Sequence, residues 1–235
     1  IAFPAAAAFA GALLKVNSPT FGSQCDQQLS LEEAADLAAG IVPIFRPLTT
    51  GEKNQISNAT MVLTPGPPPC DVGGLGWTVA GGIGLNSADD IIVVDNAVNV
   101  LSGWVSLGKN DDLDGLKPNG TKLVLDGATV TSGPVAGIFM DTVSGSQIRN
   151  IEIRNFPQNG IFAPGPSGAI FEGLDIHNNG SAGILILGSD SFTLTNARNV
   201  RIGGTQPQQA NRIYTNGIGI SITAFANDDR SPDQN

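Results

Sequence analysis

Short apolar segments recur every 23 residues through the C-terminal half of the chain, and no other feature restricts its fold so tightly. Gly137-Ile-Phe-Met140, Gly160-Ile-Phe-Ala163 and Gly183-Ile-Leu-Ile186 begin 23 residues apart. Ile148-Arg-Asn-Ile-Glu-Ile-Arg-Asn155 and Phe171-Glu-Gly-Leu-Asp-Ile-His-Asn178 keep the same step. Asn211-Arg-Ile-Tyr-Thr-Asn216 and Gly219-Ile-Ser-Ile222 repeat both patterns after an insertion. A period this short, carrying two or more strands, does not fit a propeller blade, and it lacks the Leu/Asn signature of a leucine-rich repeat.

A parallel β-helix remains. Stacked coils at about 4.8 Å put equivalent residues in columns along the axis. Ile153, Ile176 and Ile213 form one expected inward column, and Ile138, Ile161, Ile184 and Ile220 another. Asn155 and Asn178 are expected to stack at a turn, where Asn tolerates left-handed geometry and its amide bonds along the ladder. Charged residues make up only 14% of the chain, which suits short strands and tight turns.

Upstream, Ser30-Leu-Glu-Glu33 is a capping box that opens a helix near 31–39, with Gly40 as its stop. Ile41–Leu48 is apolar but carries two prolines, so it reads as an edge strand or extended arm. Thr64-Pro-Gly-Pro-Pro-Pro-Cys70 reads as a stiff loop. Ile91–Val94, Val100–Leu101, Trp104–Leu107 and Lys122–Leu125 read as strands. The expected architecture is all-β: a tail and cap region over 1–85 with one short α-helix, a single-stranded β solenoid over 86–226, and a polar tail over 227–235.

The stretch from Gly137 to Ile222, above all Ile202-Gly-Gly-Thr205 and then Asn211-Arg-Ile-Tyr-Thr-Asn-Gly-Ile-Gly-Ile220, resembles the repeats of the pectin-lyase-like superfamily, in the style of large bacterial surface proteins. The resemblance implies a right-handed parallel β-helix. It leaves function open among pectate lyases, polygalacturonases, alginate epimerases, phage tailspikes and adhesins. Hydrolase-like members carry paired aspartates with a His-Gly and an Arg-x-Lys on neighbouring coils. Here the single histidine, His177, precedes Asn178, and that pattern is absent.

If the isoleucines face inward, Arg154, His177 and Tyr214 share an outward column, and Glu152, Asp175 and Arg212 share its neighbour. A lyase needs a cation beside a uronate and a base for its α-proton, so Arg154 with His177 or Tyr214 is the candidate catalytic set; a solvated face of cross-strand charge pairs is the competing and favoured reading. Asn110, Asp112 and Asp114, followed by Gly115, match the first positions of a calcium loop, although Thr121 stands where a bidentate Glu is required. Calcium is therefore the one candidate ion, against an ordinary polar turn. Phe139, Phe162 and Leu185 form an outward apolar column that invites association, and the apolar tail with Ile1, Phe3, Phe9, Leu13 and Leu14 is its candidate cover, from the same or a neighbouring chain.

Cys25 and Cys70 are the only cysteines and are expected to pair in an oxidising compartment. Asn58, Asn119 and Asn179 begin acceptor sequons. A net charge of −9 argues against nucleic acid as a partner, and no stretch is long and apolar enough to span a membrane. The expected function is that of a secreted or cell-surface structural β-helix acting in self-assembly or adhesion, for example as a filament subunit, rather than an enzyme. The alternative is a polysaccharide lyase or other carbohydrate-active enzyme, for which a coil stack of about 25 Å is short.

Overall fold

The computed structural model describes residues 11–20, 27–39, 48–65, 75–81, 90–131, 136–140, 145–188 and 197–223. Three parallel sheets run its length. The first contains Leu13–Val16, Ile91–Val94, Asp112–Asp114, Gln147–Arg149, Ile170–Glu172 and Arg201–Ile202. The second contains Val100–Leu101, Leu123–Asp126, Ile151–Arg154, Asp175–His177 and Arg212–Tyr214. The third contains Val105–Leu107, Ala136–Met140, Asn159–Pro164, Ala182–Leu187 and Ile218–Thr223. The chain visits the sheets in that order on every coil, so each strand pairs with its counterpart one coil later and the whole is a right-handed parallel β-helix.

The 23-residue step is the observed register. Ile138 pairs with Ile161 and Ile161 with Ile184, while Ile148 pairs with Phe171 and Ile153 with Ile176. Those inward isoleucines are fully buried, and period-two alternation sends every second side chain outward. Each coil has three strands, one more than the two repeat patterns require.

Asn155 and Asn178 adopt the left-handed conformation expected of them, with φ near 60 and 57°, and Thr215 takes the same place on the last coil. The axial amide ladder, however, belongs to the following position. Asn179 Nδ2 donates to Asn216 Oδ1 at 3.0 Å, Asn216 Nδ2 donates to Ile176 O at 3.0 Å, and Asn179 Oδ1 accepts the Phe156 N–H at 3.0 Å. Glycine at 160 and 183 makes room for it, since a Cβ there would lie 3.1 and 2.9 Å from the amide nitrogens of Asn179 and Asn216.

The N-terminal end is closed. Helix α1 (Leu31–Ala38) starts at the expected capping box, Ser30 N donating to Glu33 Oε2 at 2.9 Å and Glu33 N to Ser30 Oγ at 3.2 Å. Its buried face, Leu31, Ala34, Ala35, Leu37 and Ala38, packs on Val105–Leu107, Leu13–Val16 and Ile91–Val94. A second helix, α2 (Thr50–Lys53), departs from the expectation of one; Thr49 and Glu52 form its capping box, a signal legible in Thr49-Thr-Gly-Glu52 but carried by only one turn. An antiparallel hairpin, Thr60–Pro65 with Leu75–Gly81, flanks the proline-rich segment, most of which lies outside the described residues, as does Ile41–Pro47 of the proposed edge strand.

The expected tail needs correction. Leu13–Val16 is a strand of the first sheet, parallel to Ile91–Val94 of its own chain and antiparallel to Ile56–Ser57. Leu14 is fully buried there and Leu13 faces outward, because a strand already paired on both edges has only alternate side chains to offer.

The C-terminal end of the described stack differs. Ala182, Ile184 and Ile186 are buried, yet the residues continuing their columns, Ile218, Ile220 and Ile222, are 53, 42 and 69% exposed. Inward positions of the first complete coil, Ile92, Leu101 and Leu107 among them, are fully buried.

Candidate functional site

The outward face of the second sheet brings together the candidate catalytic residues. Ile153, Ile176 and Ile213 turn inward, so Asp126, Arg154, His177 and Tyr214 line up on four successive coils, beside Val124, Glu152, Asp175 and Arg212. Asp126, at the foot of the first column, is absent from the sequence-based set, because its coil lies outside the 23-residue stretch.

Charges in this strip are spent on one another. Arg154 donates from Nε to Asp126 Oδ2 at 2.9 Å and from Nη1 to Glu152 Oε1 at 2.7 Å. Asp126 also accepts Asn155 Nδ2 at 2.9 Å and the Ala128 N–H at 3.0 Å. Desolvation pushes the Asp126 carboxyl upward, but these donors and Arg154 outweigh it, and the group sits below the ordinary carboxylate range. The hydrogen bond to Asp126 in turn holds the Arg154 guanidinium above its usual value.

His177 is sandwiched rather than presented. Its side chain is 12% exposed, its Nε2 lies 3.3 Å from Glu152 Oε1, and its ring stacks on Tyr214 with centroids 4.8 Å apart and planes 13° apart. Arg212 lies over the Tyr214 ring at 5.2 Å and contacts Asp175 Oδ2 at 3.0 Å. A lyase would need its cation free to meet a substrate carboxylate and its base open to the α-proton. Arg154 already holds two carboxylates, and His177 lies under Tyr214. The arrangement works chemically as a ladder of cross-coil ion pairs and stacked rings.

A comparable knot lies on the first sheet, at residues outside the sequence-based candidates. Glu172, 8% exposed, meets Arg149 Nε at 2.9 Å, Arg201 Nη1 at 3.0 Å and Gln209 Nε2 at 3.0 Å. Outward parity of Arg149 and Glu172 in the repeat is the signal that points to it.

Of the calcium-loop spacing, Asp112 and Asp114 fall on a strand, while Asn110 stands in the turn before it at φ near 63°. Asp112–Asp114 is paired on both edges; Asp112 accepts Gln147 N at 2.9 Å and Gln147 Nε2 at 3.0 Å, and Asp114 Oδ1 accepts Asn150 Nδ2 at 2.9 Å. Extended backbone spreads oxygens that a calcium loop must curl around one centre. Among the described residues no group of three or more His, Cys, Asp or Glu side chains is placed to hold a metal ion.

Phe139, Phe162 and Leu185 do stand in one outward column on the third sheet. The two phenyl rings meet at 5.5 Å with a tilt of 54°, and all three side chains are half-buried. Ser106 below and Ser221 above limit the apolar stripe to three coils. Ile1, Phe3 and Phe9 lie outside the described residues, as do Cys25 and Cys70. The exposed isoleucines of the last described coil escape sequence reasoning as a surface, since their spacing reads as core.

Residues 136–227 match a family model described as a right-handed beta helix region. No curated protein and no solved structure matches the sequence.

Proposed function

With a right-handed β-helix as its body, we propose that this chain is a structural protein that works by self-association at the cell surface or outside the cell, the exposed Ile218–Thr223 strand being the contact. The supporting observation is that Ile218, Ile220 and Ile222 continue the buried columns of the third sheet yet stand exposed on a strand whose outer edge is unpaired among the described residues. Edge strands of this kind recruit another strand.

The closed N-terminal end shapes the outcome. Helix α1 and the antiparallel Ile56–Ser57 strand occupy the place where a neighbour's Ile218–Thr223 would have to dock, so association through this strand favours two copies meeting Ile218–Thr223 to Ile218–Thr223, antiparallel across a two-fold axis. A filament needs a second surface, and the Phe139–Phe162–Leu185 stripe is the available one. Six half-exposed isoleucines contribute about 5 kcal/mol, at the low end of the usual cost of association, so main-chain bonds must supply the surplus and the affinity is about micromolar or weaker.

Sedimentation velocity over a concentration series tests this. Association should appear in the parent and vanish in an Ile220→Lys, Ile222→Glu double variant that keeps its β signal. A parent that stays monomeric at high concentration refutes the reading. So does cleavage of an acidic polysaccharide that is abolished by His177→Ala, which would establish the lyase instead.

A further inference from the structure

We propose that Asn119 is a site of spontaneous covalent modification, where the side-chain amide is lost through a cyclic imide, and that it is the one Asn-Gly pair in the folded protein at which this happens. The sequence has four such pairs, at Asn119, Asn159, Asn179 and Asn216. Glycine on the C-terminal side leaves the attacking nitrogen unshielded, so sequence alone makes all four equivalent.

The fold separates them. Asn159 is 4% and Asn179 2% exposed, and the amide oxygen of Asn159 accepts the Ala182 N–H at 3.0 Å. Asn179 and Asn216 are the rungs of the internal ladder, with both amide atoms bonded to neighbouring coils. Asn159 and Asn179 would have to leave a packed coil, and half-buried Asn216 its amide bonds to the neighbouring coil, before the backbone could bend into a ring.

Asn119 sits instead on the exposed tip of a hairpin. Lys117 N donates to Thr121 O at 2.9 Å and Gly120 N to Lys117 O at 2.8 Å, which makes Pro118-Asn119-Gly120 a three-residue loop with Gly120 at φ +81°. Nothing lies within 4 Å of the position a Gly120 Cβ would take. The Asn119 Oδ1 accepts Thr121 N at 3.0 Å and Thr121 Oγ1 at 2.7 Å. Two donors on that oxygen draw electrons from Cγ and hold the side chain along the backbone that follows it, as donors on a developing oxyanion do.

The chemistry balances without a cofactor. Once its bond to Lys117 O opens, the Gly120 nitrogen gives its proton to a solvent base and forms a bond to Asn119 Cγ. The bond from Cγ to Nδ2 breaks, and that nitrogen leaves as ammonia after taking up a proton. Water then opens the imide at either carbonyl, leaving an aspartyl or an isoaspartyl residue. The net change is addition of water and loss of ammonia, with one new negative charge on the hairpin.

The experiment is peptide mapping by mass spectrometry of the purified folded protein during storage at mildly alkaline pH, beside a sample in denaturant. Folded protein should convert at Asn119 while the other three pairs stay amidated, and all four should convert within a few-fold of one another once unfolded. Thr121→Val, on an exposed turn, should slow Asn119 by about fivefold, the rate equivalent of one neutral hydrogen bond. An Asn119 that survives in the folded protein but converts in denaturant overturns the proposal. So does equal conversion of the buried pairs in folded protein, or a Thr121→Val rate at or above the parent's.

Discussion

Replacing Asn179 with Leu tests whether the internal amide ladder, rather than the turn beside it, holds the coils in register. The side chain is 2% exposed and joins three coils. Its Oδ1 accepts the Phe156 N–H at 3.0 Å, and its Nδ2 donates to Asn216 Oδ1 at 3.0 Å and to Ile153 O at 3.4 Å. Leucine has similar bulk but no polar atom. Two good hydrogen bonds at about 1 kcal/mol each are lost, and the Phe156 N–H is left buried without a partner at about 1–3 kcal/mol, so the expected loss is about 3–5 kcal/mol. Asn178→Ala is the matched control. It removes an exposed side chain at φ near 57°, for which the cost is left-handed strain of about 1 kcal/mol. Urea denaturation followed by circular dichroism gives both values from one assay. An Asn179→Leu midpoint no lower than that of Asn178→Ala would refute the ladder's role.

Asp126→Asn should cost about 1–2 kcal/mol at neutral pH by releasing Arg154, and the folded carboxyl's depressed pKa sets the sign of its pH dependence. The contribution is complete above the unfolded value of about 3.9 and fades as pH falls through the lower folded value, so parent and variant melts should converge in acid. Glu172→Gln should lower the melting temperature more than Asp175→Asn, since it strips charge from two arginines instead of one. Phe162→Ala should cost about 1–2 kcal/mol through its ring contact with Phe139 and lost half-burial, whereas Ser221→Ala on the same column should be silent in a thermal melt.

The middle of the solenoid is legible in the sequence because the two consecutive steps from Ile138 to Ile161 and from Ile161 to Ile184 are equal. Elsewhere the columns continue but the spacing does not: Val105 to Ile138 takes 33 residues and Ile176 to Ile213 takes 37, insertions having gone into the corners. That is why Asp126 escapes notice, while Arg154 and His177 align by spacing and Tyr214 by the motif Asn211-Arg-Ile-Tyr-Thr-Asn216. Outward parity is readable from the isoleucines, but which partners an outward side chain already holds is not. Asn155 and Asn178 show the turn; the ladder one residue later is hidden by Phe156, which occupies its first rung without an amide. The Asn110–Asp114 spacing is legible as spacing, but nothing local to it reveals that parallel neighbours hold Asp112–Asp114 as a strand.

The closed N-terminal end also bears on how such a molecule comes into being. Helix α1 makes contact chiefly with segments up to Leu107, so the segments that precede the later coils can complete their own seed. Every later coil is then added to a template already in place, and the growing edge is always the newest one. Removing coils from the C-terminal side should leave shorter but intact solenoids with the same kind of edge, whereas deleting α1 uncovers the foundation. In a protein built this way, length is a quantity that can be changed from one end without redesigning the other.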